Sequence, residues 1–278
     1  MINDGTEMQK SFDATQGDLT SRQERERAYY NQYSQRMRDS KVNLAAIAGK
    51  EERPWNPYWH LFGVVKSLYK PGARLLDFGC GWGDNTVIFA KIGYQVEGFD
   101  IAESNLEVAR ELAKKAGVSE RVNFSVQRAE HLRYADRNFD VVAGIDILHH
   151  VDIPYAITEC RRVLREGGVA VFVEPFFVPI FDRLRNTRLV KRLWPNDSSF
   201  ERHITADERK LSRRDLDVIT GTFQKHRVER FRVLSRLAVI LNGNIAKLEK
   251  LDYKLRFLPG FGRLAGTIVL TLENNNHI

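Results

Sequence analysis

The sequence predicts an α/β fold in which short buried strands alternate with amphipathic helices around a mostly parallel sheet. Three observations carry that expectation. Leu75-Leu76-Asp77-Phe78 is a mainly apolar run with the length of a buried strand. Glycines 79, 81 and 83 follow, and Val87, Ile88, Ala90 and Ile92 then repeat with helical spacing until Gly93. Tyr94 to Phe99 reads as a second strand with Asp100 at its end. Strand, glycine turn, helix, strand and terminal acid outline a nucleotide-binding βαβ unit.

The spacing within that unit narrows the ligand. Glycines without side chains let backbone N–H groups approach a ligand, and a helix N-terminus favours an anionic group there. An acid closing the second strand can accept hydrogen bonds from both hydroxyls of a ribose. The dinucleotide fingerprint needs G-x-G-x-x-G, whereas Gly79-Cys80-Gly81-Trp82-Gly83 is G-x-G-x-G with Asp77 ahead of it. An acid in that place repels a pyrophosphate and suits a ligand with a cationic amine. A NAD-dependent enzyme is disfavoured on both counts. The run Asp77-Phe78-Gly79-Cys80-Gly81-Trp82-Gly83 resembles motif I of the class I S-adenosylmethionine-dependent methyltransferases, and Asp100 matches their ribose-binding acid.

Upstream, residues 1–20 are polar and without periodicity, which reads as a flexible N-terminus. Residues 21–69 read as a helical cap. Its first helix runs from Ser21 to Ile47, opened by Ser21 and Glu24 as a capping box. Tyr29, Tyr30 and Tyr33 fall on or near one face of it. In methyltransferases that resemble this chain such a helix folds over the cofactor, and the alternative is plain packing onto the domain. Arg53-Pro54-Trp55-Asn56-Pro57 is a turn, and Tyr58 to Tyr69 is a second helix. Trp55, Tyr58, Trp59 and Phe62 there could wall an acceptor pocket or fill a core.

Downstream, Ser104 to Ala116 is an amphipathic helix stopped by Gly117, and Arg121 to Val126 is the third strand. Gln127-Arg128-Ala129-Glu130-His131-Leu132 resembles the family's segment that closes over the adenine, with Arg128 where the family has an acid. Asn138-Phe139-Asp140 leads into the fourth strand, Val141 to Ile145, which ends at Asp146. A helix runs from about Pro154 to Leu164, with proline in its first turn. Arg162-Val163-Leu164-Arg165-Glu166-Gly167-Gly168 then resembles the family's helix end and glycine turn into the fifth strand, Val169 to Glu174. Phe139-Asp140-Val141-Val142 and Leu148-His149-His150-Val151 add to the likeness, which spans residues 70–175, the S-adenosylmethionine-binding core.

Residues 176–278 read as an acceptor-binding lid with the last two strands. Ser212 to Thr222 is helical, capped by Ser212 with Asp215 at the third position. His226 to Val233 and Gly266 to Leu272 are strands six and seven, which in the family complete a Rossmann-like seven-stranded sheet with helices on both faces. The insertion of about 176–225 is where such enzymes build the lid. A second insertion, Leu237 to Gly262, is dense in Leu, Tyr and Phe, which suits a greasy pocket, a peripheral membrane contact or packing on the sheet.

Composition excludes more than it selects. Hydrophobic residues make 43% and charged residues 28% of 278, ordinary for a globular protein. No apolar run reaches the ~18 residues of a spanning helix, and no secretory signal opens the chain, so a cytoplasmic location is expected. The net charge of +7 lies between Phe176 and Arg236, with 15 Lys/Arg against 8 Asp/Glu. Interspersed acids make that segment read as a solvated face, and it lacks the interleaved aromatics of a base-stacking surface. Neither a G-x-S-x-G elbow nor metal-ligand spacing occurs, and the two cysteines fit no disulfide framework.

The resemblance implies S-adenosyl-L-methionine as cofactor and methyl transfer to a small, hydrophobic acceptor. Asp77, Gly79 and Gly81 would meet the methionine end, with Trp82, Gly83 and Ile101 as further cofactor contacts. Asp100 would take the ribose, Ala129 and Glu130 the adenine edge, and Asp146 to His149 the floor beneath the sulfonium. His149 and His150, at the carboxyl edge of the sheet, are candidate bases. Tyr33, Trp59, Glu174 and His203 are candidate acceptor contacts. The rival readings are a nucleic-acid methyltransferase, against which stands Ile147-Leu148-His149-His150 in place of an N-P-P-Y-type tetrad, and a cofactor-binding protein without turnover.

Overall fold

A computed structural model describes residues 19–34, 53–179, 209–235 and 244–275. Most of the expected flexible N-terminus, the continuation of the first helix to Ile47, and the lid from 180 to 208 with His203 lie outside the described residues.

Seven strands form one sheet in the order β3-β2-β1-β4-β5-β7-β6. They are β1 (Arg74–Phe78), β2 (Gln95–Asp100), β3 (Val122–Val126), β4 (Phe139–Ile145), β5 (Leu164–Pro175), β6 (Lys225–Phe231) and β7 (Thr267–Glu273). All neighbours run parallel except β7, which lies antiparallel between β5 and β6. Helices α1 (Ser21–Tyr33), α2 (Pro57–Leu68), α3 (Asp84–Ile92), α4 (Glu103–Ala116), α5 (Ile153–Val163), α6 (Arg213–Thr222) and α7 (Ile245–Leu255) complete the described elements. The period-two alternation of the strands feeds two cores, because successive side chains leave opposite faces. Leu76, Phe78, Val142 and Phe172 meet α5 and α6 on one face. Leu75, Val141, Val171 and Val173 meet α2, α3 and α4 on the other.

Several boundaries differ from the expectation, each for a local reason. The cap of α1 is Thr20, not Ser21: Thr20 Oγ1 accepts from Gln23 N at 3.3 Å and Gln23 Oε1 from Thr20 N at 3.0 Å. The helix before β1 starts at Pro57 because Asn56 Oδ1 accepts from Tyr58 N and Trp59 N. β5 begins at Leu164 rather than Val169. Phe139 pairs with Leu164 and Val141 with Val169, so residues between them bulge out, with Gly167 at φ +72°. Asn274 holds the bulge, donating from Nδ2 to Leu164 O at 2.9 Å and Arg165 O at 3.2 Å. β6 stops at Phe231, short of Val233, because Arg232 turns into the left-handed region at φ 60°. The cap of α6 is as expected, Ser212 with Asp215.

The described part of the second insertion, residues 244–262, turns its apolar side chains outward rather than into a core. Its buried residues are Glu249 and Asp252, while Leu251, Phe257 and Leu258 are exposed.

Candidate active site

Parallel strands deliver their carboxyl ends to one edge of the sheet, where ligands bind. A cavity of about 750 Å³ opens there, within the roughly 300–1,000 Å³ usual for small-molecule sites. Toward β2 and β3 it is lined by Gly79 to Trp82, Asp100, Ile101, Asn105 and Gln127 to Glu130. Toward β5 and β7 it is lined by Tyr58, Trp59, Ile145, Asp146, Pro175, Arg232 and Thr267. His149 and His150 also reach it, and α1 covers it with Gln23, Glu26 and Tyr30.

The glycine loop is shaped from both sides. Gly79 has φ +72°, and a Cβ on it would come 2.5 Å from the Ile147 side chain. Gly83, at φ +83°, sits against Ala109, where a Cβ would come 2.6 Å from the Ala109 Cβ. Gly81 differs: it has φ +52° but open space where a Cβ would project. It is thus Gly81 that faces the cavity, while Gly83 does not line it and serves the close packing of loop on α4. Asp77 is also corrected. Its carboxylate lies beneath the loop, 2% exposed, accepting from Thr86 Oγ1 at 2.5 Å, and it does not line the cavity. Burial pushes it up to about 7, against the Thr86 hydrogen bond.

Asp100 gathers the loop and the start of α4. Its Oδ2 accepts from Gly81 N at 3.1 Å, and its Oδ1 from Ala102 N at 2.8 Å and Asn105 Nδ2 at 3.1 Å. A carboxylate has about four acceptor sites, so three internal bonds leave capacity for a ligand hydroxyl. Burial holds its carboxyl above the usual range, opposed by those same hydrogen bonds. The buried Asn105 Oδ1 has no hydrogen-bond partner within the protein and belongs to a residue that lines the same cavity. Glu130 lines the site too, but both its oxygens are engaged: Oε2 accepts from Gln23 Nε2 at 3.0 Å and Oε1 from Asp152 N at 2.9 Å. Gln127 is engaged as well, its Nε2 donating to Ser125 Oγ and its Oε1 accepting from Arg133 N, both at 2.7 Å, so an adenine edge there would fall to the backbone near Ala129.

Beyond β4 the chain forms a turn of 3₁₀-helix, Leu148–His150, that carries both histidines. Glu174, fully buried at the end of β5, fixes this turn. Its Oε1 accepts from Ile147 N at 3.0 Å and Leu148 N at 2.7 Å, and its Oε2 lies 2.7 Å from His149 Nδ1. Glu174 therefore does not touch the cavity, as an acceptor contact would, but stands behind His149. His150 faces α1: its Nε2 lies 3.4 Å from Tyr30 Oη, and its Nδ1 lies 3.3 Å from Glu26 Oε2, close enough for charge pairing though off hydrogen-bond alignment. Arg22 Nη2 donates to His149 O at 3.0 Å, which ties α1 to the same turn. The helix thus lies over the site, and among its described side chains Tyr30, not Tyr29, lines the cavity. The side chain of Tyr33 lies outside the described residues.

Asp146 has a left-handed φ of 53° and accepts from Tyr58 Oη at 2.9 Å through Oδ2. Burial and the Glu174 charge push its carboxyl up to about 6, opposed by the Tyr58 hydrogen bond and the charges of His149 and Arg232. The Arg232 guanidinium lies 5.2 Å from the Tyr58 ring centre, with its Nε 3.2 Å from Glu249 Oε1. Asn56 Nδ2 reaches Glu249 Oε2 at 3.4 Å. Trp59 lines the cavity as expected, with the Arg53 guanidinium 4.7 Å from its ring centre. Arg232, Asn56 and Thr267 are site residues that the sequence reading missed. Arg232 was counted with a solvated basic face, and no local motif marks it, since its place comes from the pairing of β6 with β7.

A family model described as a methyltransferase domain matches residues 76–172. Over that stretch the chain carries the sequence pattern of a methyltransferase domain. Sequence relatives agree over the same region. The chain is 40% identical over 101 residues to a ubiquinone biosynthesis O-methyltransferase of Cereibacter sphaeroides, covering 36% of this chain and 40% of that protein. It is 39% identical over 112 residues to the 27-O-demethylrifamycin SV methyltransferase of Amycolatopsis mediterranei, covering 40% and 41%. The matched stretch is thus about two fifths of the length of these relatives. Solved structures extend the likeness in fold to the rest of the chain. Geranyl diphosphate C-methyltransferase from Streptomyces coelicolor superposes with a TM-score of 0.58 over 93% of this chain and 99% of that one, at 17% identity. Magnesium protoporphyrin IX methyltransferase from Synechocystis gives 0.54 over 90% and 98%, at 18% identity.

Proposed function

We propose that this chain binds S-adenosylmethionine toward β2 and β3 and methylates a hydroxyl of a small, hydrophobic acceptor held toward β5 and β7. The observation that carries the reading is the arrangement around Asp100. A carboxylate with remaining acceptor capacity, an open glycine at 81 and an orphaned Asn105 oxygen line one cavity, and they suit the hydroxyls and amine of that cofactor. A relative named for ubiquinone biosynthesis and another named a 27-O-demethylrifamycin SV methyltransferase support a small-molecule acceptor. In domain terms, residues 70–175 hold the cofactor, and the segments before and after supply the cover and the acceptor side.

When bound, the cofactor supplies an electrophilic methyl group on a sulfonium, so the protein's task is positioning, exclusion of water and handling of a proton. Asp100 and the Gly81 loop would hold the cofactor, with Trp82 and Ile101 also lining its place and α1 excluding water. Glu174 keeps the proton of His149 on Nδ1, which makes the second ring nitrogen the basic one. That nitrogen would take up the proton of an acceptor hydroxyl. Tyr58, Trp59 and Asp146 bound the space in which the acceptor lies. Calorimetric titration with S-adenosylmethionine, S-adenosylhomocysteine and NAD tests the reading. Binding of the first two alone is expected. Silence toward both sulfur nucleotides, or binding of NAD, overturns it.

A further inference from the structure

The stretch from Asn244 to Gly266 is built with its charges inverted relative to an ordinary surface helix. The two acids of α7 point inward. Asp252, 6% exposed, accepts from Leu234 N at 2.7 Å, from Val233 N and Ser235 N at 3.1 Å, and from Ser235 Oγ at 2.9 Å. Glu249, 5% exposed, takes Arg232 and Asn56. These are the only acids in the stretch, so every exposed charge it presents is positive: Lys247, Lys250, Lys254, Arg256 and Arg263.

Apolar residues accompany those cations. Among the described residues eight large hydrophobic side chains are exposed, and five of them fall here: Ile245, Leu251, Phe257, Leu258 and Leu264. Such clustering differs from the single exposed apolar residues of any surface. Phe257, at 78%, is the most exposed of all eight, and it sits with Leu258 on the turn that follows α7. Leu258 N–H donates to Leu255 O at 2.9 Å, and Gly260 at φ +79° leads into the 3₁₀ turn Phe261–Leu264, so the tip is a formed turn. The Arg256 guanidinium lies 4.1 Å from the Phe257 ring centre.

We propose that this face docks on an anionic lipid bilayer, with Phe257 and Leu258 entering the boundary between headgroups and acyl chains. A basic helix face with an aromatic and aliphatic tip matches both terms of interfacial binding, apolar burial and attraction to anionic headgroups. A second copy of the same face would bring cations against cations. The surface stands apart from the methyl-transfer reading, yet the two meet at Glu249, one contact removed from the cavity-lining Asn56 and Arg232. Docking would therefore set the acceptor side of the cavity beside the phase in which hydrophobic molecules dissolve.

Cosedimentation of the full chain with vesicles of phosphatidylcholine, with and without phosphatidylglycerol, tests the proposal. Binding to the phosphatidylglycerol vesicles, absent with phosphatidylcholine alone and reduced by salt, is expected. Phe257→Ser with Leu258→Ser is expected to weaken it at least about tenfold, as is Lys247→Glu with Lys254→Glu. Both variants should keep the wild-type melting temperature and S-adenosylhomocysteine affinity, which separates this test from that of the cofactor. Failure of the wild type to sediment with anionic vesicles overturns the proposal. So does undiminished binding by either variant. A lipid-free dimer that Phe257→Ser with Leu258→Ser converts to monomer would assign the face to a second copy and overturn it equally.

Discussion

Toward β2 and β3 the cavity is lined by residues from two stretches of chain, 79–105 and 127–130. Toward β5 and β7 its walls are side chains brought together from α2, the exit of β6 and the start of β7. On the proposed reading, the first region meets groups that any bearer of the cofactor would present, through the Gly81 loop and the side chains of Asp100 and Asn105. The second is a set of side chains held by one another, Tyr58 on Asp146, Arg232 on Glu249 and Asn56 on Glu249. Substitutions there can change what is bound without disturbing the glycine loop. The contrast teaches where selectivity resides.

Breaking the point where the two regions meet should have the largest effect. His149→Ala is expected to lower kcat by about 10²–10⁴-fold while calorimetry shows unchanged cofactor affinity. Glu174→Gln should lower kcat less and displace its pH profile, because the Nδ1 proton is no longer fixed by a carboxylate. On the cofactor side, Asp100→Ala should weaken S-adenosylhomocysteine binding by roughly 10–100-fold with the fold retained, and wild-type affinity would refute the ribose assignment. Two glycines sharpen the comparison. Gly79→Ala drives a Cβ into Ile147 at a left-handed position and should cost about 1–3 kcal/mol in urea denaturation. Gly81→Ala meets open space, so beyond its own backbone strain the Cβ should be felt in cofactor affinity. On the acceptor side, Trp59→Ala should raise the acceptor KM about tenfold, with cofactor affinity unmoved in the same preparation.

A separate effect concerns pH. Asp77 is raised in the folded chain from 3.8 to about 7, so the folded state keeps a proton that the unfolded chain gives up. Stability from this group is then full below pH 3.8 and falls as pH rises toward 7, by at most about 1.4 kcal/mol per pH unit. Asp77→Asn should flatten that decline in urea titrations at pH 4.5 and 7.5.

Much of this was legible in the chain. Short-range patterns specify the βαβ unit: Leu75 to Phe78 as strand, three glycines as turn, Asp100 as terminal acid, each within 27 residues. Asp77 shows the limit of that legibility. Its position before the loop suggested a ligand contact, whereas the strand's alternation and Thr86 of α3 turn it inward. The role of Glu174 was equally hidden, since its partners Ile147, Leu148 and His149 reach it through the pairing of β4 with β5. Arg232 needed a longer-range fact still, the end of β6 beside the beginning of β7.

That reversed strand has a consequence for how this architecture diversifies. Because β7 runs against its neighbours, Thr267 at its start pairs with Pro175 at the end of β5 and with Phe231 at the end of β6. Chain inserted between β6 and β7 therefore leaves and re-enters at the ligand-bearing edge, and α7 is such an insert. Its length and chemistry are free to drift without passing through the glycine loop or shifting the register of β1 to β4. One inherited half can stay constant while a separately tunable module remodels the partner it meets.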